Sequence, residues 1–207
     1  MSPPQPSQPA HANLSAAILL ACAILLTMAA LSRSWLHADL SDIDRETIGR
    51  DVGGVDLGLV GIELCRPNNE CVGDFWNEGQ FTGNATLRAA TRATFVAALL
   101  AAALCCAASL LLLAGRAAKV PRAAVGFALV VAFLGATYYR GAGTSKDNPI
   151  VAEYGWEFHT GWPFWLTIVA TVAGGAALLA LPRRPTSVAA LLAQSDAADT
   201  QRPGPRR

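Results

Sequence analysis

Few side chains in this sequence are equipped for chemistry. The candidate ligands and nucleophiles are five cysteines and three histidines, His11, His37 and His159. Cys65 and Cys71 stand six positions apart in Cys-Arg-Pro-Asn-Asn-Glu-Cys, where Pro-Asn-Asn reads as a turn. Two chemistries are open to such a pair. One is a disulfide closing a short loop, worth about 2–3 kcal/mol by loop entropy. The other is half of a zinc site, which needs about four Cys or His ligands in all. Zinc is the poorer expectation on ligand count: the chain has three histidines in all, and His11 is separated from the pair by the first apolar run. No Ser-His-Asp set, His-Glu-x-x-His helix or phosphate-binding glycine loop stands out. The expectation is a chain that is not an enzyme and that takes no metal or cofactor.

The elements that must position these residues are apolar. Of 207 residues, 53% are hydrophobic and 15% charged, and the mean hydropathy is +0.35. An average soluble domain carries about 25% charged residues. The net charge of +1 argues against a nucleic-acid partner, which asks for a basic footprint. Four runs hold no Asp, Glu, Lys, Arg or His: residues 14–31, 93–115, 123–139 and 162–181. Each is near the roughly 20 residues that cross a bilayer as a helix. The first lacks the basic start and small-residue exit of a cleaved signal, so it reads as a retained span. Span-lining carboxylates or bases, the usual marks of pumps and transporters, are missing from these runs.

Orientation follows from the basic residues in short loops. Arg116, Lys119 and Arg122 lie between spans two and three, and Arg183 and Arg184 follow span four. Both termini are therefore expected in the cytoplasm, with the chain multi-pass in the cell membrane. Residues 1–12 and 183–207 read as unstructured, and residues 13–182 as one four-span domain. The segments outside are 32–92 and 140–161. The first is too long for a plain loop. Val55, Leu57 and Leu59 alternate as in a strand, with turn signals at Gly53-Gly54, Gly73-Asp74, Glu78-Gly79 and Thr82-Gly83-Asn84. The expected fold is an α-helical membrane protein, a four-helix transmembrane bundle carrying a small extracytoplasmic antiparallel β-sheet. Outside the cell the thiols of Cys65 and Cys71 meet oxidising conditions, which favours the disulfide.

Trp35, then Gly58-Leu59, then Cys65 and Cys71, set on four spans, resemble the claudin superfamily. That group includes claudins, peripheral myelin protein and calcium-channel gamma subunits. Leu87-Arg88-Ala89-Ala90-Thr91-Arg92-Ala93 is similar to the Leu-x-Ala-Ala-Arg-Ala run of claudins, with Thr91 inserted and Arg92 at the arginine position. Tyr154-Gly155-Trp156, continuing to Gly161-Trp162, resembles the run that opens span four in the gamma-subunit and myelin-protein branches. The resemblance covers residues 14–182. It implies a left-handed bundle under a sheet built mostly from the first outside segment, with one strand from the second. Departures are also plain. Val60 follows Leu59 where claudins carry Trp, the Cys spacing is shorter, and the sequence ends in Gly-Pro-Arg-Arg, which argues against a PDZ scaffold as partner. Arg outnumbers Lys 14 to 2, a bias that fits a distant relative from a GC-rich genome. In a bacterium the membrane would be the inner one.

Several features carry two readings. Trp35 is either a membrane-interface anchor or a packing residue near the sheet. The aromatic residues Trp156, Phe158, Trp162, Phe164 and Trp165 either anchor span four or meet a partner. Arg33 to Arg92 holds ten acidic and six basic residues, a net charge of −4; that is a solvated face or, by analogy with pore-forming claudins, a cation-selective one. Asn84-Ala85-Thr86 is a glycosylation sequon. Gly126, Gly135, Ala170, Gly174 and Gly175 serve close packing within one bundle or between subunits. The resemblance implies a role in membrane organisation or contact with other copies through the outside sheet. The alternative is an accessory subunit of a larger channel or transporter. Besides the lipid bilayer, the partner is then either a second copy or a larger membrane protein.

Overall fold

Apolar runs bounded by charge and proline dictate the helices. In the computed structural model, which describes residues 9–40, 53–66, 71–75, 85–145, 151 and 155–181, they are α1 (Pro9–Leu31), α2 (Ala85–Leu113), α3 (Arg122–Thr144) and α4 (Trp162–Ala180). A short 3-10 turn, Ala117–Lys119, links α2 to α3. All four helices are long and apolar enough to cross a membrane, the pattern of a multi-pass membrane protein.

The helices outrun the charge-free stretches that announced them. Helix α1 begins at Pro9, so residues 9–12 are helical where no structure was expected. Helix α2 starts at Ala85 and takes in Arg88 and Arg92, and α3 continues past Tyr139 to include Arg140. Absence of charge marks the hydrocarbon, whereas helical hydrogen bonding persists as long as packing supports it. Residues 1–8 and 182–207, with the expected tail, lie outside the described residues.

Each helix packs on its neighbours in a ring, α1 on α2, α2 on α3, α3 on α4 and α4 on α1. Side-chain bonds fix the alternating directions. Ser109 Oγ near the end of α2 donates to the carbonyl of Ala16 near the start of α1, at 2.8 Å. Thr94 Oγ1 near the start of α2 donates to the carbonyl of Gly135 late in α3, at 2.9 Å. Alanines dominate the facing stripes: Ala16, Ala98, Ala101, Ala108, Ala132 and Ala170 are fully buried. Small residues in such stripes let helix backbones approach closely, the way membrane helices associate. Gly174 follows this rule: a Cβ there would stand 3.0 Å from Leu129 Cδ1. Ala170 and Gly174 thus serve packing inside one bundle. Cys22 and Cys105 are buried as small apolar residues within the same core.

The strands are β1 (Leu36–Asp39), β2 (Gly54–Leu57), β3 (Gly61–Cys65), β4 (Cys71–Phe75) and the two-residue β5 (His159–Thr160). They form one antiparallel sheet in the order β4-β3-β2-β1-β5. Four strands come from the first segment between helices, and the fifth from the segment before α4. Val55 and Leu57 alternate as expected, but Leu59 lies beyond the strand, still buried. Gly73 and Asp74 stand inside β4 and pair with β3, not in a turn; ladder bonding overrides a weak turn signal. Glu78-Gly79 and Thr82-Gly83-Asn84 lie outside the described residues.

The sheet sits on the ends of α1, α3 and α4 so closely that two glycines are obligatory. A Cβ on Gly58 would strike the backbone of Arg33 and come within 2.7 Å of the Ser32 carbonyl. One on Gly161 would overlap the carbonyl of Ser34. Backbone cannot rotate away, so Gly58→Ala and Gly161→Ala should each destabilise the fold by about 1–3 kcal/mol. Gly126→Ala, where nothing lies within 4 Å, should change stability by no more than about 0.5 kcal/mol. Thermal unfolding in mild detergent distinguishes the two classes.

Candidate functional site

The sheet has two faces of opposite character, and the register assigns residues to each. Leu36 pairs with Leu57, and Leu57 with Ile62; Ala38 pairs with Val55, and Val55 with Leu64. These residues point at the helices and build a second core with Trp35, Tyr139, Trp156, Phe158 and Phe164. Trp35 is its centre. Its indole Nε1 donates to the Ala29 carbonyl in the last turn of α1 at 2.6 Å, which also accepts from the Ser32 N–H at 3.2 Å. Its own carbonyl accepts from the Gly161 N–H at 2.8 Å. Its ring meets Tyr139 edge-on at 5.8 Å, and the Tyr139 hydroxyl donates to the Gly58 carbonyl at 3.3 Å. Trp35 is 1% exposed, so it anchors sheet to bundle and does not sit in the aromatic belt of a bilayer.

The opposite face is polar. One row crosses the sheet: His159 opposite His37, His37 opposite Asp56, and Asp56 opposite Glu63. His37 Nδ1 lies 2.5 Å from Asp56 Oδ1, and its Nε2 lies 3.1 Å from Asp39 Oδ1. Ser34 Oγ donates to Asp56 Oδ2 at 3.1 Å. Arg33 and Glu63 form an ion pair at 2.6 Å. With carboxylates at both ring nitrogens, the doubly protonated imidazolium suits this place best. Burial opposes charging of the His37 ring, but the hydrogen bonds and charges of Asp56 and Asp39 outweigh it, and the pKa is raised above the usual histidine value.

Serine, histidine and aspartate meet here without forming a nucleophilic relay. In that relay histidine stands between serine and carboxylate; here Asp56 stands between Ser34 and His37. Asp56, Glu63 and Cys65 bring three potential metal donors within 4.8 Å of one another. Their charge is already answered inside the chain, by His37 for Asp56 and by Arg33 for Glu63. The arrangement is that of a polar face whose carboxylates are held by ion pairs and hydrogen bonds within the chain.

The residues singled out by sequence divide as follows. Trp35, Gly58, Leu59, Trp156 and Gly161 gather at the junction of sheet and helices. Gly155 turns the chain ahead of β5 with φ of +69°, a left-handed conformation that glycine adopts freely. Cys65 and Cys71 are directly opposite in the β3–β4 register. Arg92 is exposed in the early turns of α2, inside a helix where a preceding loop was expected. The aromatic group divides: Phe164 is buried, while Trp162 and Trp165 are 51% and 56% exposed. Tyr154 lies outside the described residues. Sequence reasoning missed Tyr139, Asp39, Arg33 and Glu63, and took His37 only as a possible ligand. Period-2 alternation placed Asp56 on the face opposite Val55 and Leu57, but only the register reveals His37 and Glu63 beside it.

No family model matches the chain, and no curated protein matches it at significant similarity.

The His37 contacts set a sign for pH dependence. A raised folded pKa means the contribution is fully present below the unfolded value of about 6.5 and is lost as pH rises through the folded one. Thermal stability of the wild type should therefore fall over that window relative to His37→Gln. Equal pH profiles for the two proteins would contradict the assignment.

Proposed function

We propose that this chain is a claudin-like integral membrane protein without catalytic activity. It lies in the cell membrane with both termini cytoplasmic, and acts in membrane organisation or contact between copies through its outside sheet. The observation that carries this reading is the convergence of Trp35, Gly58, Leu59, Trp156 and Gly161 at one junction. Two of the three stretches that supplied the resemblance, Trp35 to Leu59 and Trp156 to Gly161, meet where a sheet must be fixed on a helical bundle.

The sheet order supports self-contact over an accessory role. β4 is an edge strand, and Val72 on it is 72% exposed. An edge with an exposed apolar side chain is a template for pairing with another strand. By register Val72 stands opposite Leu64, on the helix-facing side of the sheet and not on the face of the polar row.

A disulfide between Cys65 and Cys71 belongs to the same reading. Directly opposite positions on adjacent antiparallel strands bring Cβ atoms within about 4.5–5.5 Å, near the span a disulfide takes. It would staple β4 to the rest of the sheet.

Three measurements test the proposal. Alkaline extraction should leave the chain in the membrane fraction; release into the wash would refute the four-span reading. Thiol labelling from outside should find Cys65 and Cys71 blocked until reductant is added, and labelling without reductant would remove the staple. Cross-linking in native membranes, read by mass spectrometry, should give a ladder of self-adducts through residues 32–92. A single larger membrane protein at fixed stoichiometry would instead establish the accessory-subunit reading, and a clean monomer would contradict both.

A further inference from the structure

A groove of 570 Å³ opens between α3 and α4 at the end away from the sheet. Its walls include Gly126, Leu129, Phe133, Gly175 and Leu178, and Arg122 stands at its mouth. The groove exists because Gly126 and Gly175 leave space: a Cβ on either would meet nothing within 4 Å. The walls are apolar throughout, since the Thr171 hydroxyl turns back to the carbonyls of Thr167 and Ile168. Arg122 Nη1 donates to the Leu181 carbonyl at 3.3 Å, which holds the guanidinium beside the ends of both helices.

We propose that this groove binds an anionic glycerophospholipid, one acyl chain between α3 and α4 and the phosphate at Arg122. The inference rests on the four-span reading. Two observations select this occupant. The first is length. From Arg122 to Phe133 the groove runs eleven residues along α3, roughly 16 Å at the helical rise, about one leaflet of a 30 Å hydrocarbon core. A partner helix would need a track across both leaflets. The second is charge. Arg116 and Lys119 are exposed in the connection that leads into Arg122 at the start of α3. A basic cluster at the cytoplasmic mouth of an interhelical groove attracts an anionic headgroup.

The test uses the full chain in mild detergent, incubated with dioleoyl phosphatidylglycerol or dioleoyl phosphatidylcholine and examined by native mass spectrometry. Phosphatidylglycerol should be retained about fivefold more than phosphatidylcholine. Arg122→Gln should abolish that preference while leaving the chain folded. Gly126→Leu with Gly175→Leu, which fills the groove, should lower retention of both lipids, with thermal unfolding as the control for folding. Equal retention of the two lipids by the wild type, or a preference unmoved by either variant, overturns the proposal. So does a dimer that the groove-filling variant splits while lipid retention stays unchanged, because a second copy would then occupy the groove. Alkaline extraction reads membrane insertion independently, so failure here is distinct from failure of the four-span reading.

Discussion

Everything outside the helices hangs on the way Trp35 closes the end of α1. The last carbonyls of a helix need partners from beyond it. At Ala29 the indole of Trp35 adds a second donor to the Ser32 N–H, while the ring packs on Tyr139 and the main-chain carbonyl takes the N–H of Gly161. One residue thus joins α1, α3 and the start of α4. Its burial also fixes where β1 begins, one residue later, and hence which side chains of the sheet face inward.

From that anchor the opposite face follows by register alone. With Leu36 and Ala38 turned to the helices, His37 and Asp39 must face away. The paired strands then set Asp56 and Glu63 beside them. On this face Glu63 is paired with Arg33, and Asp56 and Asp39 both meet His37. The exposed edge at β4 is the less guarded feature, and it is there that contact with another copy is proposed. At the far end of the bundle, α3 and α4 part around Gly126 and Gly175 and leave room for lipid. The same residue type does two jobs here: at Gly174 its smallness lets helices approach, and one position later it leaves open space.

The helices were legible because a hydrocarbon core excludes charge over about 20 residues, and a soluble helix of that length seldom does. Their ends were less so, because α2 and α3 continue into Arg88, Arg92 and Arg140, where packing sustains the helix beyond the hydrocarbon. Arg140 is accommodated over the ring of Phe164, 5.3 Å from its centroid, a contact no pattern along the chain displays. The sheet was legible as a strand at Val55 and Leu57. The β4 strand hid behind Gly73-Asp74, since turn propensity is local and ladder pairing is not. The junction was half legible: Trp35 and Gly58 stood out through resemblance, whereas Tyr139 ended an apolar run without a mark of its own. Of the polar row only the face of Asp56 was legible, because the row joins residues from four strands through their register.

The central claim is that sheet and bundle form one unit through Trp35. Hydrogen–deuterium exchange on the chain in lipid nanodiscs, wild type beside Trp35→Ala, tests it most directly. The account predicts that amides of β1–β3 in the wild type are protected like the outer turns of α1 and α3. In the variant those amides should lose protection together while the middle turns of the helices keep theirs. Sheet amides that exchange freely in the wild type, or that stay protected without the indole, would contradict it.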